Sequence, residues 1–341
     1  MQLALDAMGG DHAPGPIVAG ALQAVAADPE LRVTLVGDRE QVESCLEETS
    51  DFEGIRDRVD IFHCSQVVGM HESPVEALRF KPDNSISRCW ELLSQEKVNA
   101  VVSAGNTGAM VAGGMLRRLF LKHVRRPGIA AVLPTLRGQC ILLDVGANIS
   151  PKPLHLYHYG VMGDIYAKQI FKCEKPKIGL MNVGSEEQKG HDLAKETHAL
   201  FNTSILKEQF IGNIEGRDIF QGVADVVVTD GFVGNVVLKT CEGMFEFSMK
   251  LVGGALHQAL DGERDKALGA IHELVRKHEY HEQGGAPLLG IAGICIICHG
   301  SSNDRAIKNA LGMAANYARV KLNDKFVEEL ESKPLHVIQE S

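Results

Sequence analysis

The chain has 341 residues, 45% of them hydrophobic, which is ample for a sizeable core and fits either two domains or one large α/β unit. Its formal net charge of -9 argues against a basic nucleic-acid-binding surface, yet a small anion can still be held by local N–H groups and one or two cations. Aromatics make up only 5% while glycine is frequent at 35, a composition of tight strand-to-helix loops rather than of a β-sandwich.

Read in chain order, short apolar runs end repeatedly in glycine-bearing polar loops that lead into helical patterns. QLALD (2–6) precedes AMGGDHAPG and an Ala-rich helix at 16–27. RVTLVG (32–37) precedes Asp38 and a helix near 39–48, and VDIFHC (59–64) is a further strand. NAVVSAG (99–105) opens into NTGAMVAGGMLRRLF; GIAAVLPT (128–135) and QCILLDVG (139–146) flank a turn at LRG. PKIGLMNVG (176–184) leads to a helix from about 190, and ADVVVTDG (224–231) to one from about 233. GIAGICIICHG (290–300) leads to a helix from about 302. The strands are continuously apolar rather than alternating, so they predict a mostly parallel sheet buried on both faces by helices. Ligands of such sheets bind at the carboxyl ends of the strands, and the polar loops are expected to converge there on one edge. Residues 233–280 read as two helices around the polar turn DGERDK (261–266), a hairpin of about 240–282 standing off a single domain of 1–341.

The N-terminal MQLALDAMGG lacks a basic region followed by an apolar core, so no signal peptide is expected. No apolar run reaches the ~18 residues of a membrane span. The eight cysteines are scattered, as reduced cytosolic thiols are. Cys295 and Cys298 share a strand, where residues three apart face opposite sides, so they belong to the core rather than to a metal.

Five loops carry the chemistry. DAMGGDHAPG (6–15) offers Gly9, Gly10 and Asp11 but lacks both G-x-G-x-x-G and G-K-[ST], so no nucleotide cofactor is expected. Asp6 and Asp11 fall short of the three or more ligands that a metal site needs. SAGNTGAM (103–110) sets Ser103, Gly105, Asn106, Thr107 and Gly108 at a helix start, where unpaired N–H groups and the helix dipole favour an anion. LLDVGANIS (142–150) contributes Asp144 and Asn148; TDGFVGN (229–235) contributes Asp230 and Asn235; HGSSND (299–304) contributes His299, Gly300, Ser301 and Ser302. Taken alone, an ordinary capping turn accounts for the loop at 103–110 better than a ligand does, and each of the others is weak by itself; their repetition favours the ligand. There is no G-x-S-x-G elbow and no H-E-x-x-H. The set suits positioning an anion and stabilising an oxyanion without a covalent intermediate. NVGSEEQKGHDL (182–193) stands apart, because a lone Lys189 sits beside Gly184, Glu186 and Glu187. At a helix start those glutamates would complement the dipole and hold the lysine.

LALDAMGGDHAP, VVSAGNTGAMVA, LLDVGANI, NVGSEEQKGHDL, FIGNIEGRDI, VVVTDGFVGNVVLK, GGAPLLGI and CHGSSNDRAIKNA together closely resemble the phosphate acyltransferases of bacterial phospholipid synthesis, in family order from about 3 to 310. GNIEGRDI and DGFVGNVVLKT are specific to that family. The resemblance implies a Rossmann-like three-layer α/β/α fold related to phosphotransacetylases and the isocitrate-dehydrogenase type, and a cytoplasmic homodimer without cofactor or metal. It implies transfer of a long-chain acyl group from acyl carrier protein to inorganic phosphate, the acyl phosphate then feeding a membrane glycerol-3-phosphate acyltransferase. Lys189 and Asn235 become the catalytic candidates. Phosphate is expected against the N–H groups of Gly9 and Gly10, Gly105 to Gly108, and Ser301 and Ser302, with Asp11, Asp144 and Asp230 orienting donors. The resemblance also implies peripheral membrane contact through the hairpin at roughly 245–280, although here the tip carries Asp261, Glu263, Arg264, Asp265 and Lys266. An acidic carrier protein needs a basic patch, and Arg117, Arg118, Lys122, Arg125 and Arg126 form the densest one. The competing readings are a short-chain phosphotransacetylase using acyl-CoA, a metal-dependent oxidoreductase on the related fold, and a non-enzymatic phosphate- or lipid-sensing scaffold.

Overall fold

The computed structural model describes residues 1–259, 266, 269 and 284–332. The strands are β1 (Gln2–Asp6), β2 (Arg32–Gly37), β3 (Val59–His63), β4 (Ala100–Ser103), β5 (Gly128–Thr135), β6 (Gly138–Leu143), β7 (Ile178–Met181), β8 (Phe210–Ile214), β9 (Val226–Val228), β10 (Ala286–Leu289) and β11 (Ile294–Ile297). They form one eleven-stranded sheet in the order β3-β2-β1-β4-β11-β10-β5-β6-β9-β7-β8. Helices α1 (Gly15–Ala27), α6 (Pro153–Gln169), α7 (Asp192–Asn202), α10 (Asp304–Arg319) and α11 (Leu322–Ser332) lie on one face. On the other lie α3 (Pro74–Phe80), α4 (Ser85–Ser94), α5 (Thr107–Leu116) and α8 (Gly216–Gln221).

Alternate strand residues point to opposite faces, and the core divides accordingly. Leu3 and Leu5 pack with Ile17 and Leu22 of α1 and Ala314 of α10, whereas Ala4 joins Trp90 of α4 on the far face. Burial on both faces explains why these strands are apolar throughout. Cys295 and Cys298 are both buried, as expected, and burial pushes both thiols upward.

Pairing is mixed, which corrects one expectation. The block β3-β2-β1-β4-β11 is parallel throughout, as is β6-β9-β7-β8. Between them, β11–β10, β10–β5 and β5–β6 are antiparallel. Three successive reversals leave the two parallel blocks running in opposite directions. The carboxyl ends of β1, β4 and β11 therefore lie on one edge of the sheet and those of β6, β7 and β9 on the other, so the polar loops do not all share an edge. The run at 290–293 is not strand either: Gly290 and Gly293 have φ of +90° and +105°, and β11 starts after them.

The first arm of the expected hairpin is α9, a single 29-residue helix, Gly231–Ala259. Its tip and second arm lie outside the described residues, apart from Lys266 and Gly269. No helix among the described residues is long and apolar enough to cross a membrane.

Close helix-to-sheet contact yields a test. A Cβ at Gly163 of α6 would lie 2.3 Å from Val226 Cγ1 of β9, whereas one at Gly312 of α10 meets nothing within 4 Å. Gly163→Ala is expected to cost about 1–3 kcal/mol through overpacking. Gly312→Ala is expected to add about 0.5–1 kcal/mol through reduced chain entropy. Thermal denaturation of both variants reads the contrast, and equal effects would contradict it.

Candidate functional site

On the first edge, the loops after β1, β4 and β11 touch. A Cβ on Gly9 would sit 2.6 Å from the Gly105 nitrogen and 2.5 Å from Asp6 Oδ2, so only glycine permits the approach. Asp11 N–H donates to the Gly300 carbonyl at 2.7 Å, and Gly10 adopts φ of +122° beside the same carbonyl. Beneath them Asp6 is buried and accepts from Ser103 Oγ at 2.7 Å and Met8 N–H at 3.2 Å. Burial raises its pKa against the pull of these hydrogen bonds.

Several residues expected to touch substrate instead hold this edge together. Ser103 Oγ also accepts from Gly105 N–H at 3.0 Å. Asn106 caps α5 by accepting from Ala109 N–H at 3.0 Å, and its amide donates to the carbonyls of Gly69, Met70 and Glu72. Gly108 packs on Pro74, while Thr107 beside it is exposed. His299 Nδ1 meets Ser301 Oγ at 2.8 Å; Ser302 is buried, and Asn303 rather than an earlier residue caps α10.

On the second edge, Asp144 organises the loop after β6. Its fully buried carboxylate accepts from the N–H groups of Ile129 (2.9 Å), Gly146 (3.1 Å), Ala147 (3.0 Å) and Asn148 (2.7 Å). Burial nevertheless raises its pKa. The Asn148 amide donates to Pro127 O at 2.6 Å and Tyr159 Oη at 2.8 Å, and the Asn148 carbonyl accepts from Gly231 N–H at 2.8 Å. Asp230 Oδ1 accepts from Phe232 and Val233 N–H, fixing the first turn of α9. A Cβ on Gly234 would lie 1.9 Å from the Asp144 carbonyl, so that turn rests directly on the β6 loop. Asn235 follows, exposed, on the same turn. Asp144 and Asp230 thus each accept from backbone N–H groups of their own loops.

Lys189 stands on the loop after β7, on this second edge. Its N–H donates to Glu186 O at 3.0 Å. Two side-chain amides pin the turn: Asn182 donates to Lys189 O at 3.0 Å and Asn213 to Glu186 O at 2.8 Å. Gly184 lies beneath, where a Cβ would be 3.1 Å from Lys189 Cγ. Sequence reasoning missed both asparagines as supports, although each is a polar amide at the end of an apolar strand. The Lys189 ammonium is exposed and makes no hydrogen bond or ion pair among the described residues. Glu187 faces His198 at 3.6 Å instead. Helix α7 begins only at Asp192, capped by His191, so the glutamates lie in the loop and not at the helix dipole. The expected clasp between glutamate and lysine is therefore absent among the described residues. What remains is a cation and a primary amide on one edge, backed by a network of buried acceptors.

Comparison with known proteins adds the following. Residues 1–325 match a family model described as "Fatty acid synthesis protein". The chain is 45% identical to a phosphate acyltransferase of Geotalea daltonii over 99% of this chain and 97% of the other. It is 46% identical to a phosphate acyltransferase of Heliobacterium modesticaldum, covering 92% of this chain and 93% of the other. Among solved structures, a phosphotransacetylase from Streptococcus pyogenes superposes with a TM-score of 0.60 at 14% identity, over 94% of each chain. One from Staphylococcus aureus gives 0.58 at 14%, over 93% of this chain and 94% of the other. At such identity the likeness is one of fold alone: a large mixed sheet covered by helices.

The role of Asp144 is open to measurement. An amide in its place would set an NH2 group against backbone donors, at a cost of about 1–3 kcal/mol. Asp144→Asn is expected to lower the melting temperature clearly, and Asp11→Asn, at an exposed position, to leave it nearly unchanged. Equal melting temperatures for the two variants would remove Asp144 from this role.

Proposed function

The chain belongs to the phosphate acyltransferase family, and from that premise we propose that it moves a long-chain acyl group from the thioester of acyl carrier protein to inorganic phosphate. A phosphate oxygen attacks the thioester carbonyl, a C–O bond forms, and charge builds on the carbonyl oxygen. The C–S bond then breaks, the thiol takes the proton carried by hydrogen phosphate, and acyl phosphate and free carrier leave. Phosphate is already a competent nucleophile at neutral pH, which agrees with the missing serine elbow. The buried cysteines fit this reading too: burial pushes Cys64, Cys140 and Cys298 up to about 12, away from the nucleophilic thiolate.

The observation that carries the assignment of roles is the Lys189 ammonium, exposed and without a partner among the described residues, on a turn pinned by Asn182 and Asn213 and on the same sheet edge as Asn235. In this reading Lys189 neutralises phosphate or the developing oxyanion, and Asn235 donates its amide to the same charge. Gly184 and Glu186 frame the lysine. A homodimer belongs to the reading as well. The glycine loops of Gly9, Gly105 and Gly300 face the opposite edge of the same chain, and a second copy supplies a way for both edges to meet one substrate. The fold is read as Rossmann-like, of the phosphotransacetylase and isocitrate-dehydrogenase kind. The enzyme is placed in the cytoplasm, with peripheral membrane contact and product passed to a glycerol-3-phosphate acyltransferase.

Phosphate-dependent release of carrier thiol from long-chain acyl carrier protein is the direct assay. Lys189→Ala is expected to lower turnover by about 10²–10³ while the protein stays folded; near-normal turnover would end this role for the lysine. Shared sites predict complementation. Lys189→Ala mixed with a first-edge variant, Gly9→Ala, should recover about a quarter of wild-type activity, since half the random dimers carry one intact site of two. No recovery after demonstrated subunit exchange would place both edges' work elsewhere.

A further inference from the structure

Residues 116–128, LRRLFLKHVRRPG, carry Arg117, Arg118, Lys122, Arg125 and Arg126 and no acidic residue, in a chain of net charge -9. The fold decides where this basic segment goes. Helix α5 starts at the first edge, after β4, and ends at Leu116 on the second. The segment is held there by Leu121 N–H to Gly290 O at 3.0 Å and by the return of Ala292 N–H to Leu119 O at 3.0 Å. It then joins the Asp144 loop directly. Asn148 donates to Pro127 O, Asp144 accepts from Ile129 N–H, and Val145 N–H donates to Ile129 O at 2.9 Å. Since Asn148 O in turn accepts from Gly231 N–H, a continuous line of hydrogen bonds runs from Pro127, next to Arg126, through Asn148 to the turn bearing Asn235.

Arg118, Arg125 and Arg126 are exposed on that edge. Two large apolar side chains are exposed along the line: Ile149 is 71% and Phe232 63% exposed. A cationic shelf followed by an apolar step toward Asn235 matches a donor whose body is acidic and whose cargo is an alkyl chain. We infer that the acidic carrier protein of the acyl donor docks on the Arg118–Arg126 segment, its acyl chain crossing Ile149 and Phe232 to reach Asn235 and Lys189. This rests on the acyltransfer reading above and adds the surface that recognises the donor's protein part. Lys122, on the same segment, pairs with Glu331 at 2.5 Å, so part of its charge is neutralised within the chain. Such a patch acts mainly on encounter and on salt dependence, through charge complementarity.

The test compares two donors on the full-length enzyme, a long-chain acyl carrier protein and the same acyl group on pantetheine. With Arg125→Glu and Arg126→Glu together, KM for the carrier-bound donor is expected to rise about tenfold or more, and its salt dependence to flatten. KM for the pantetheine donor should change far less, and the milder Arg125→Ala/Arg126→Ala pair should fall between. Equal losses with both donors, or no loss with either, would overturn the docking surface. So would loss of binding to phosphatidylglycerol vesicles with the carrier KM unchanged, which would make the segment a lipid contact. Failure of the underlying reading looks different: the wild-type enzyme would then release no thiol with phosphate from either donor. Binding of fluorescently labelled carrier to the wild type and the double variants tests the surface in that case, and equal affinities would overturn it.

Discussion

Antiparallel pairing of β10 with β11 and β5, and of β5 with β6, is the constraint on which the rest of the molecule depends. A parallel block delivers every strand's carboxyl end to one edge, where loops can share a ligand. Reversal between two such blocks divides the loops into two sets. The glycine-rich set after β1, β4 and β11 packs on itself through the approach of Gly9 to Gly105 and of Asp11 to Gly300. The set after β6, β7 and β9 carries Asp144, Lys189 and Asn235. Each set is internally consistent, and neither contains all the groups that the motifs had brought together.

Within the second set, the Asp144 carboxylate does the organising. Burying a carboxylate is expensive, and its raised pKa records that cost. Four backbone N–H groups offset much of it, and in doing so they fix the path of residues 144–148. The first turn of α9 rests on that path at Gly234, which orients Asn235. Asp6 is the corresponding buried acceptor on the first edge, held by Ser103 rather than by a ring of amides. Both carboxylates accept from neutral donors, Asp6 from Ser103 and Met8 and Asp144 from backbone N–H groups.

Charge is distributed to the same effect. The net charge of -9 is a property of the whole chain, whereas the sheet edge that carries Asn148 also carries the exposed Arg118, Arg125, Arg126 and Lys189. Glu187, the acid nearest Lys189 in sequence, is turned toward His198 instead. A lysine whose backbone turn is held by Asn182 and Asn213, and whose ammonium has no partner among the described residues, suits a group that must meet charge as it develops.

The layered architecture was legible in the sequence because continuous apolar runs such as VVV at 226–228 and ICII at 294–297 can be buried only between two layers. Motif order identified the family, and capping residues such as Asn106 and Asp38 marked helix starts, since a side-chain oxygen beside free N–H groups is a local effect. β8 and β10 were not legible: FIGNI and APLL are short, and a four-residue apolar run carries no periodicity. Sequence alone determined the residue types available to the site. Only tertiary structure decided that Ser103, Asn106 and Asn148 would spend their side chains on the scaffold, because their partners at Asp6, Gly69 and Pro127 are distant in sequence. Strand direction was likewise a tertiary decision. An apolar strand reads the same whether its neighbour runs with it or against it, and that choice set which loops face a common edge.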